Sequence, residues 1–330
     1  MPGKSGRISI LLCFKRIEAM KKRRFRPSVV HHIYQKPIDG IVFLHTVRDF
    51  LVFLTIFFQV KKKHRVRILS VCPMVDHLHV VLEADMKEEM SAFVQEYTSK
   101  YVKEYNLSLD RPSGRLFPHR FGCAPKRDDK KARSTIAYSY NNAPERKLCN
   151  RAIEYQWNLL AYASSDHPFS DPIDLPHRSE RMRKSMSTVR AFHRNACYLT
   201  YATLGRVFKG LSEKEVLQLI DYIISTYCDV DFNRAIYYFG SFEKMILAID
   251  SNTGSEHDMK EEWVGYTDKV YAKMGRILQE KTGEKDLKRI LKLPENKRRE
   301  LYFYLLMQTD FIERQIEKYL QLPDSTGKRR

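Results

Sequence analysis

The most constraining feature of this sequence is a pair of short segments in which apolar and polar residues alternate. "VRILSVCPM" covers residues 66–74 and "DHLHVVLEA" covers residues 76–84. Alternation with a period of two is typical of β-strands, and the turn at residues 73–76 is short enough for a hairpin. His77 and His79 lie in the second segment. Because side chains at positions i and i+2 of a strand leave the same face, we expect both imidazole rings to point the same way.

The order of the other predicted elements places this hairpin in a larger sheet. Residues 28–36 are a candidate strand, and apolar sequence from Thr46 to Val60 follows it. A helix is predicted at residues 87–106, where apolar residues recur every three or four positions. An extended segment rich in Gly and Pro (113–126) and a second helix that ends before Pro144 come next. This order predicts an α+β fold of the ferredoxin-like kind, an antiparallel sheet with helices on one face.

The composition changes after Trp157, and the chain divides into predicted regions. Residues 1–25 are predicted to be a basic, disordered arm, residues 26–165 the α+β domain, and residues 166–180 a polar linker with several prolines. Residues 181–330 are predicted to be an all-α C-terminal domain, since apolar residues recur there at helical spacing. Two of its helices, in residues 294–322, have two interpretations. They form a helix-turn-helix that binds DNA, or they are a plain helical pair that packs on the rest of the chain.

The charge of the chain favours a polyanionic partner. There are 58 Lys and Arg residues against 40 Asp and Glu residues, which gives a formal net charge of +18. Such an excess favours nucleic acid first and a membrane surface second. The densest apolar run, at residues 50–60, is well short of the roughly 20 residues that a membrane-spanning helix needs. The 6 cysteines include no CxxC pair, which is typical of the reducing cytoplasm and argues against a disulfide framework or a structural zinc site.

A second set of polar residues lies on the last helix of the α+β domain. Tyr138 and Asn142 are four residues apart, so they share one face of that helix. An amide oxygen can complete a site with two imidazoles for Mg²⁺ or Mn²⁺. A tyrosine, with an ordinary pKa of about 10, is a poor nucleophile unless a cation polarises its target or lowers its pKa. A phosphodiester bound to a divalent ion meets that need.

Two segments of the chain resemble a known family of DNA-processing enzymes. "CPMVDHLHVVLE" (72–83) resembles the His-hydrophobic-His strand of the single-strand DNA tyrosine transposases. "YSYNNAPERKLCNRAIEYQWNLLAY" (138–162) resembles their nucleophile helix and the segment after it. The resemblance is to the REP-associated tyrosine transposases, in the superfamily that also contains relaxases and rolling-circle replication initiators. It runs from about residue 26 to residue 163 and implies the fold of the His-hydrophobic-His (HUH) endonucleases.

This resemblance implies an activity and assigns roles to residues. His77, His79 and Asn142 would bind Mg²⁺ or Mn²⁺, and Tyr138 would attack a phosphodiester of single-stranded DNA at a hairpin or palindrome. The products would be a 5′-phosphotyrosine and a 3′-hydroxyl, and attack by another 3′-hydroxyl would rejoin DNA, so the enzyme would act as endonuclease, strand transferase and transposase. In the family the helix usually reads tyrosine, three residues, then Asn-Pro. Here the residues at 142–144 are Asn-Ala-Pro, so the proline is displaced by one.

Several other polar residues have structural interpretations. Tyr140, only two residues from Tyr138, leaves the helix on another side and is interpreted as a packing residue. Asp76 either partners an imidazole of the metal site or only forms the turn. Three further histidines have no partner in the sequence pattern and are interpreted as surface or DNA-facing residues: His31, His32 and His119.

Basic residues around the α+β domain are candidates for binding DNA phosphates. They lie in the N-terminal arm and ahead of the tyrosine helix: Lys21, Lys22, Arg23, Arg24, Arg26, Arg115, Arg120 and Lys126. The predicted enzyme is cytoplasmic, has no membrane partner and is a monomer or a homodimer. Two other functions fit the sequence. One is a non-catalytic, domesticated DNA-binding protein that uses the C-terminal helices, and the other is an unrelated hydrolase with a His-His-amide metal and no covalent adduct.

Overall fold

The structure is a computed structural model that describes residues 25–111, 114–251, 268–308 and 311–323. The strands are β1 (Val29–Gln35), β2 (Val66–Pro73), β3 (Leu78–Ala84) and β4 (Gly122–Pro125). The helices of the first half are α1 (Val47–Lys61), α2 (Lys87–Ser108) and α3 (Asp129–Glu145). The later helices are α4 (Glu180–Arg194), α5 (Tyr201–Val207), α6 (Glu213–Tyr227), α7 (Phe232–Tyr237), α8 (Phe242–Ser251), α9 (Lys269–Thr282), α10 (Leu287–Lys292), α11 (Glu295–Gln308) and α12 (Glu313–Leu320). The predicted N-terminal arm, apart from Phe25, lies outside the described residues.

The four strands form one antiparallel sheet in the order β2, β3, β1, β4. β1 pairs with β3 and β4, and β2 pairs with β3 through the predicted hairpin. α1 connects β1 to β2, and α2 connects β3 to β4. The predicted α+β, ferredoxin-like fold with a helical C-terminal region is therefore confirmed.

The helices lie on both faces of the sheet, whereas the sequence pattern predicts only one. Ile33, Val80 and Leu82 point into a core that they share with α1 and α2. Val81, on the opposite face of β3, packs with Ile136 of α3. Since residues alternate between faces along a strand, α3 must cover the second face. His79 is two residues before Val81 in β3, so its side chain leaves the same face of the sheet. The candidate site therefore lies between the sheet and α3.

The apolar run at residues 50–60 belongs to a helix that is covered on all sides. Thr46 and Asp49 form a capping box at its start, in which each side chain bonds the backbone N–H of the other. α1 packs against α2 on one side and against α5 and α6 on the other, so residues 49–60 are all buried. A helix buried all round carries apolar residues on every face. Among the described residues, no helix is long and apolar enough to span a membrane.

The later helices pack on the first half of the chain. One hydrophobic core joins Phe57 of α1 to Met186 of α4 and Ile223 of α6. A second core joins Val42, ahead of α1, to Ile316 of α12. The predicted boundaries between the two domains stay predictions, because the two halves share these cores.

Helix α12 lies in the segment for which the sequence allows two interpretations. Residues 315–320 of this helix are all buried. A recognition helix needs an exposed face to enter the groove of DNA. The burial of α12 therefore supports the packing interpretation of residues 294–322 over the helix-turn-helix.

Helix α3, which carries Tyr138, ends later than predicted. The sequence predicts that α3 stops before Pro144, but the helix continues to Glu145. Proline has no N–H to bond the carbonyl four residues earlier, which is that of Tyr140. The side-chain amide of Asn158 donates to this carbonyl instead, at 3.4 Å. The displaced proline therefore removes one internal bond but keeps residues 138–142 in a single helix.

Candidate functional site

His77 and His79 lie side by side where the hairpin enters β3. His77 is the last residue before the strand, and His79 is the second residue of it. The backbone N–H of Met74 donates to the carbonyl of His77 at 2.8 Å, which closes the turn. The two ring centroids are 4.9 Å apart, and the ring planes are nearly perpendicular, at 89°. Both rings thus approach each other on one face, as their spacing predicts.

Helix α3 brings Tyr138 and Asn142 to the same place. The Oδ1 atom of Asn142 lies 3.0 Å from Nε2 of His77. The ring centroid of Tyr138 lies 5.4 Å from that of His79. Four polar side chains, two from the hairpin and two from one face of α3, therefore converge between the sheet and the helix.

Asp76 holds the ring of His77 from the other side. The Nδ1–H of His77 donates to Oδ1 of Asp76 at 2.6 Å, so Nε2 is the ring nitrogen that faces Asn142. Burial is the largest single effect on Asp76 and would raise its pKa, but the charge and hydrogen bond of His77, together with the charges of Arg146 and Lys318, outweigh burial and lower the pKa of this carboxyl. Burial is the largest single effect on His77 and lowers its pKa, but the charge of Asp76 and the hydrogen bonds to Asp76 and Asn142 together outweigh burial, so the pKa of His77 is raised. Of the two interpretations of Asp76, the imidazole partner is the one that the structure supports.

His32 of β1 is a member of the site that the sequence interpretation missed. Its Nε2 lies 2.9 Å from Nδ1 of His79, so the two rings share a hydrogen bond. The prediction that His31 and His32 lie at the surface is wrong, since both are buried, while the alternative that they face DNA stays a prediction. The physical reason for their burial is the strand order: β1 pairs directly with β3. His119 is exposed, as predicted.

The spacing of His77 and Asn142 fits a divalent metal ion. Two adjacent ligands of an octahedral ion at about 2.1 Å lie about 3 Å apart, and His77 Nε2 and Asn142 Oδ1 are separated by 3.0 Å. A carboxylate at the second ring nitrogen, as Asp76 provides, is the usual way in which a metal-binding histidine is oriented. In the part of the chain that the structure describes, no three His, Cys, Asp or Glu side chains form a metal-binding group. The amide of Asn142 is therefore the group that would complete the set with His79.

The whole site is buried. His77 is 1% exposed, His79 0%, Asn142 3% and Tyr138 5%. A DNA phosphate therefore reaches these side chains only when the groups around them move. The same burial strengthens electrostatic interactions within the site, because water screens them less.

Charged residues from later in the chain interact electrostatically with Asp76. Arg146, just after α3, lies 4.0 Å from a carboxylate oxygen of Asp268. Burial and the negative charge of Asp76 raise the pKa of Asp268 to about 6. Lys318 of α12 is buried nearby and helps to lower the pKa of Asp76. No local pattern signals these residues, because they come together only when the C-terminal helices fold back on the first half.

Tyr140 does not belong to the site, in agreement with its interpretation as a packing residue. It is fully buried in the core between the sheet and α3. Its hydroxyl donates to the carbonyl of Leu69 at 3.2 Å. Burial raises the pKa of this phenol, which makes Tyr140 a weaker nucleophile still.

The candidate DNA-binding residues are dispersed. Arg26, Arg115 and Arg120 are exposed, and Arg120 lines a cavity of about 170 Å³ together with Tyr34. Lys126 is buried, which disfavours a contact with a phosphate at the surface. The other candidates lie outside the described residues: Lys21, Lys22, Arg23 and Arg24. Their role in binding DNA stays a prediction.

Comparison with known proteins assigns the segment that carries the hairpin to a family. Residues 42–138 match the family model described as "Transposase IS200 like". This segment of the chain is therefore similar to the IS200-like transposases. The matched segment contains His77 and His79 and ends at Tyr138, while Asn142 lies just beyond it. The resemblance found in the sequence to the tyrosine transposases is thereby confirmed.

Comparisons with curated sequences and with solved structures add two further findings. No curated protein sequence matches the chain. The chain is similar to a solved REP-associated tyrosine transposase that is bound to a REP hairpin, with 13% sequence identity and a TM-score of 0.37. This similarity covers 43% of the present chain and 82% of the solved one.

Proposed function

We propose that this chain is a metal-dependent endonuclease and strand transferase for single-stranded DNA, with Tyr138 as its nucleophile. The observation that supports the proposal is the convergence of Tyr138 with His77, His79 and Asn142 at one site in and beside the segment that is similar to the IS200-like transposases. Two imidazoles and an amide oxygen suit a divalent ion. A divalent ion beside a phenol is one way to activate tyrosine for attack on a phosphodiester.

Each residue of the site has its own role in the proposed reaction. His77, His79 and Asn142 would hold a Mg²⁺ or Mn²⁺ ion, which would supply positive charge beside the scissile phosphate. The hydroxyl oxygen of Tyr138 attacks the phosphorus atom, and the bond from phosphorus to the 3′-oxygen breaks. The phenol loses its proton and the leaving 3′-oxygen gains one. The phosphate remains joined to Tyr138 as a 5′-phosphotyrosine, and attack by a second 3′-hydroxyl rejoins DNA without an external source of energy.

The proposed substrate is single-stranded DNA that forms a hairpin or palindrome, cleaved in the cytoplasm by a monomer or a homodimer. The net charge of +18 supports a polyanionic substrate. Exposed arginines, among them Arg26, Arg115 and Arg120, would bind phosphates of the DNA backbone. If one such arginine is neutralised, the slope of log affinity against log salt concentration should become shallower by about 0.7 to 0.9.

The test of the proposal compares two tyrosines of the same helix. Tyr138→Phe removes only the attacking oxygen, so hairpin binding should persist while nicking and the covalent adduct both disappear. Tyr140→Phe is the matched control. It removes the hydrogen bond to Leu69, which costs about 1 kcal/mol of stability, and should leave cleavage intact. The assay incubates labelled hairpins with Mn²⁺ and separates nicked strands and denaturant-resistant adducts on gels.

The outcomes separate the proposal from the two other functions. A non-catalytic DNA-binding protein would bind hairpins without nicking them, even with Tyr138 in place. An unrelated hydrolase would nick hairpins and leave no adduct. An adduct formed by the Tyr138→Phe protein would show that another residue is the nucleophile.

A further inference from the structure

The C-terminal helix α12 is attached directly beside the turn that carries the metal site (residues 74–77). The backbone N–H of Val42 donates to the carbonyl of Lys318 at 3.1 Å. One residue further on, the N–H of Phe43 donates to the carbonyl of Val75 at 2.9 Å. The short segment at 42–43 therefore links α12 to the residue that precedes Asp76.

Lys318 is buried at this junction. It is only 5% exposed, although lysine is seldom buried without a partner of opposite charge. Gly40 has a positive φ of 60°, and a Cβ there would lie 3.1 Å from Cε of Lys36 and 3.6 Å from Nζ of Lys318. The missing side chain at this position leaves room for both lysines.

Asp76, which follows Val75 in this junction, is an anion whose charge acts on Lys318. Burial lowers the pKa of Lys318 and the charge of Asp76 opposes this effect, while Lys318 in turn lowers the pKa of Asp76. Asp76 also accepts the hydrogen bond from Nδ1 of His77 at 2.6 Å. Electrostatic attraction between Lys318 and Asp76, followed by the hydrogen bond from His77 to Asp76, thus connects α12 with the ring that faces Asn142.

We propose that Lys318 is a positioning residue of the metal site: its ammonium holds the carboxylate of Asp76 and, through it, the ring of His77. A buried carboxylate that loses its positive neighbour is strongly destabilised and would turn toward other groups. With Lys318 in place, Asp76 keeps its bond to Nδ1, and Nε2 stays directed at the ligand position. Arg146, at the end of α3, adds a second positive charge near the same carboxylate.

This inference gives the C-terminal helices a role that the sequence leaves open. They would complete the metal site, not only add contacts to DNA. The inference rests on the proposed function in one respect, since it takes His77 to be a metal ligand.

The experiment uses the full-length protein with two substitutions of Lys318 and one control. Lys318→Met removes the charge and keeps the length of the side chain, and Lys318→Arg keeps the charge. Lys297→Met is the matched control, because Lys297 is an exposed lysine of α11 that pairs with Glu300. Circular dichroism establishes folding, and Lys318→Gln replaces the Met variant if that protein does not fold.

Two readouts report on the ring and on the metal separately. The first is the ¹⁵N NMR spectrum of the His77 ring in metal-free protein, assigned by its loss in His77→Ala. We expect Lys318→Met to shift the Nδ1 and Nε2 signals, and Lys318→Arg and Lys297→Met to leave them near their wild-type positions. The second is calorimetric titration with Mn²⁺ without DNA, in which Lys318→Met should weaken binding about 10- to 100-fold.

Each contrary result has a separate meaning. Ring signals and Mn²⁺ affinity equal to those of the Lys297→Met protein would overturn the inference. Weaker hairpin binding in EDTA with both readouts unchanged would overturn it too and make Lys318 a DNA contact. If the wild type shows no Mn²⁺ binding that His77→Ala abolishes, the metal site of the proposed function fails, and the ring signals still decide whether Lys318 positions His77.

Discussion

The ion pair between Asp49 and Lys288 attaches the C-terminal helices to the first half of the chain, and breaking it should be costly. Nζ of Lys288, in α10, lies 2.7 Å from Oδ1 of Asp49, in the first turn of α1, and both side chains are buried. Lys288 also donates to the hydroxyl of Ser108 at 2.6 Å and lies 3.7 Å from the centroid of the Tyr201 ring. Lys288→Met keeps much of the packing volume but leaves the charge of Asp49 without its cation.

The structure sets the expected magnitude of this loss. Removal of one partner from a buried ion pair costs about 3 to 5 kcal/mol. Asp49 retains hydrogen bonds from the Thr46 N–H at 2.8 Å and the Tyr201 hydroxyl at 2.7 Å, so we expect about 3 kcal/mol, the lower end of that range. Asp49→Asn in the same protein removes the stranded charge. The double variant should therefore be more stable than the sum of the single effects predicts, by about 2 kcal/mol.

Urea unfolding followed by circular dichroism measures these differences. The control is Lys292→Met, which breaks a surface pair with Asp110 at 2.6 Å and should cost less than about 1 kcal/mol. If Lys288→Met is no more destabilising than Lys292→Met, the buried pair does not hold the two halves together. Strict additivity in the double variant would show that the two charges are not coupled.

Further predictions concern the metal, the pH dependence and the first half of the chain alone. Replacing His77 or His79 with Ala should abolish Mn²⁺-dependent nicking but spare hairpin binding in EDTA. Asn142→Asp should tighten Mn²⁺ binding without DNA in calorimetry, because it adds a negative charge to the set of ligands. Stability should fall as the pH drops from about 6.5 to about 4, because burial lowers the pKa of His45 to about 4 and the unfolded chain binds more protons in that range. Allowing for the partial exposure of His45, the free energy of unfolding should decrease by about 2 kcal/mol. Urea unfolding at pH 7 and pH 5 measures this decrease, which should be smaller in the His45→Gln protein. Residues 20–165 alone should aggregate in size-exclusion chromatography, because the missing helices uncover the buried side of α1, and a soluble, folded fragment would contradict this.

The sequence by itself determined the elements of the α+β half and the two pairs of side chains that they carry. Alternation marks β3, and the spacing of apolar residues at 87–106 marks α2. Both signals are local, because each follows from the backbone geometry of a single strand or helix. For the same reason the spacing of His77 and His79 places their rings together, and the spacing of Tyr138 and Asn142 places both on one helix face.

Local sequence patterns did not determine where α3 ends or which helices pack on α1. Helix α3 extends past Pro144 because the carbonyl that the proline cannot satisfy finds a distant partner in Asn158. The uniformly apolar α1 shows that it is buried, but its sequence does not say which helices cover it. In both cases the missing information lies in another part of the chain.

Tertiary structure alone decided which elements meet and therefore what surrounds the site. His32 adjoins His79 only because β1 takes its place next to β3, and Lys318 approaches Asp76 only because α12 docks on residues 42–43. Helix α3 covers the sheet face opposite α1 and α2, which encloses the site between strand and helix. Contacts of this kind depend on how whole elements pack. Packing between residues that are far apart in the sequence produces no periodic pattern from which it could be predicted.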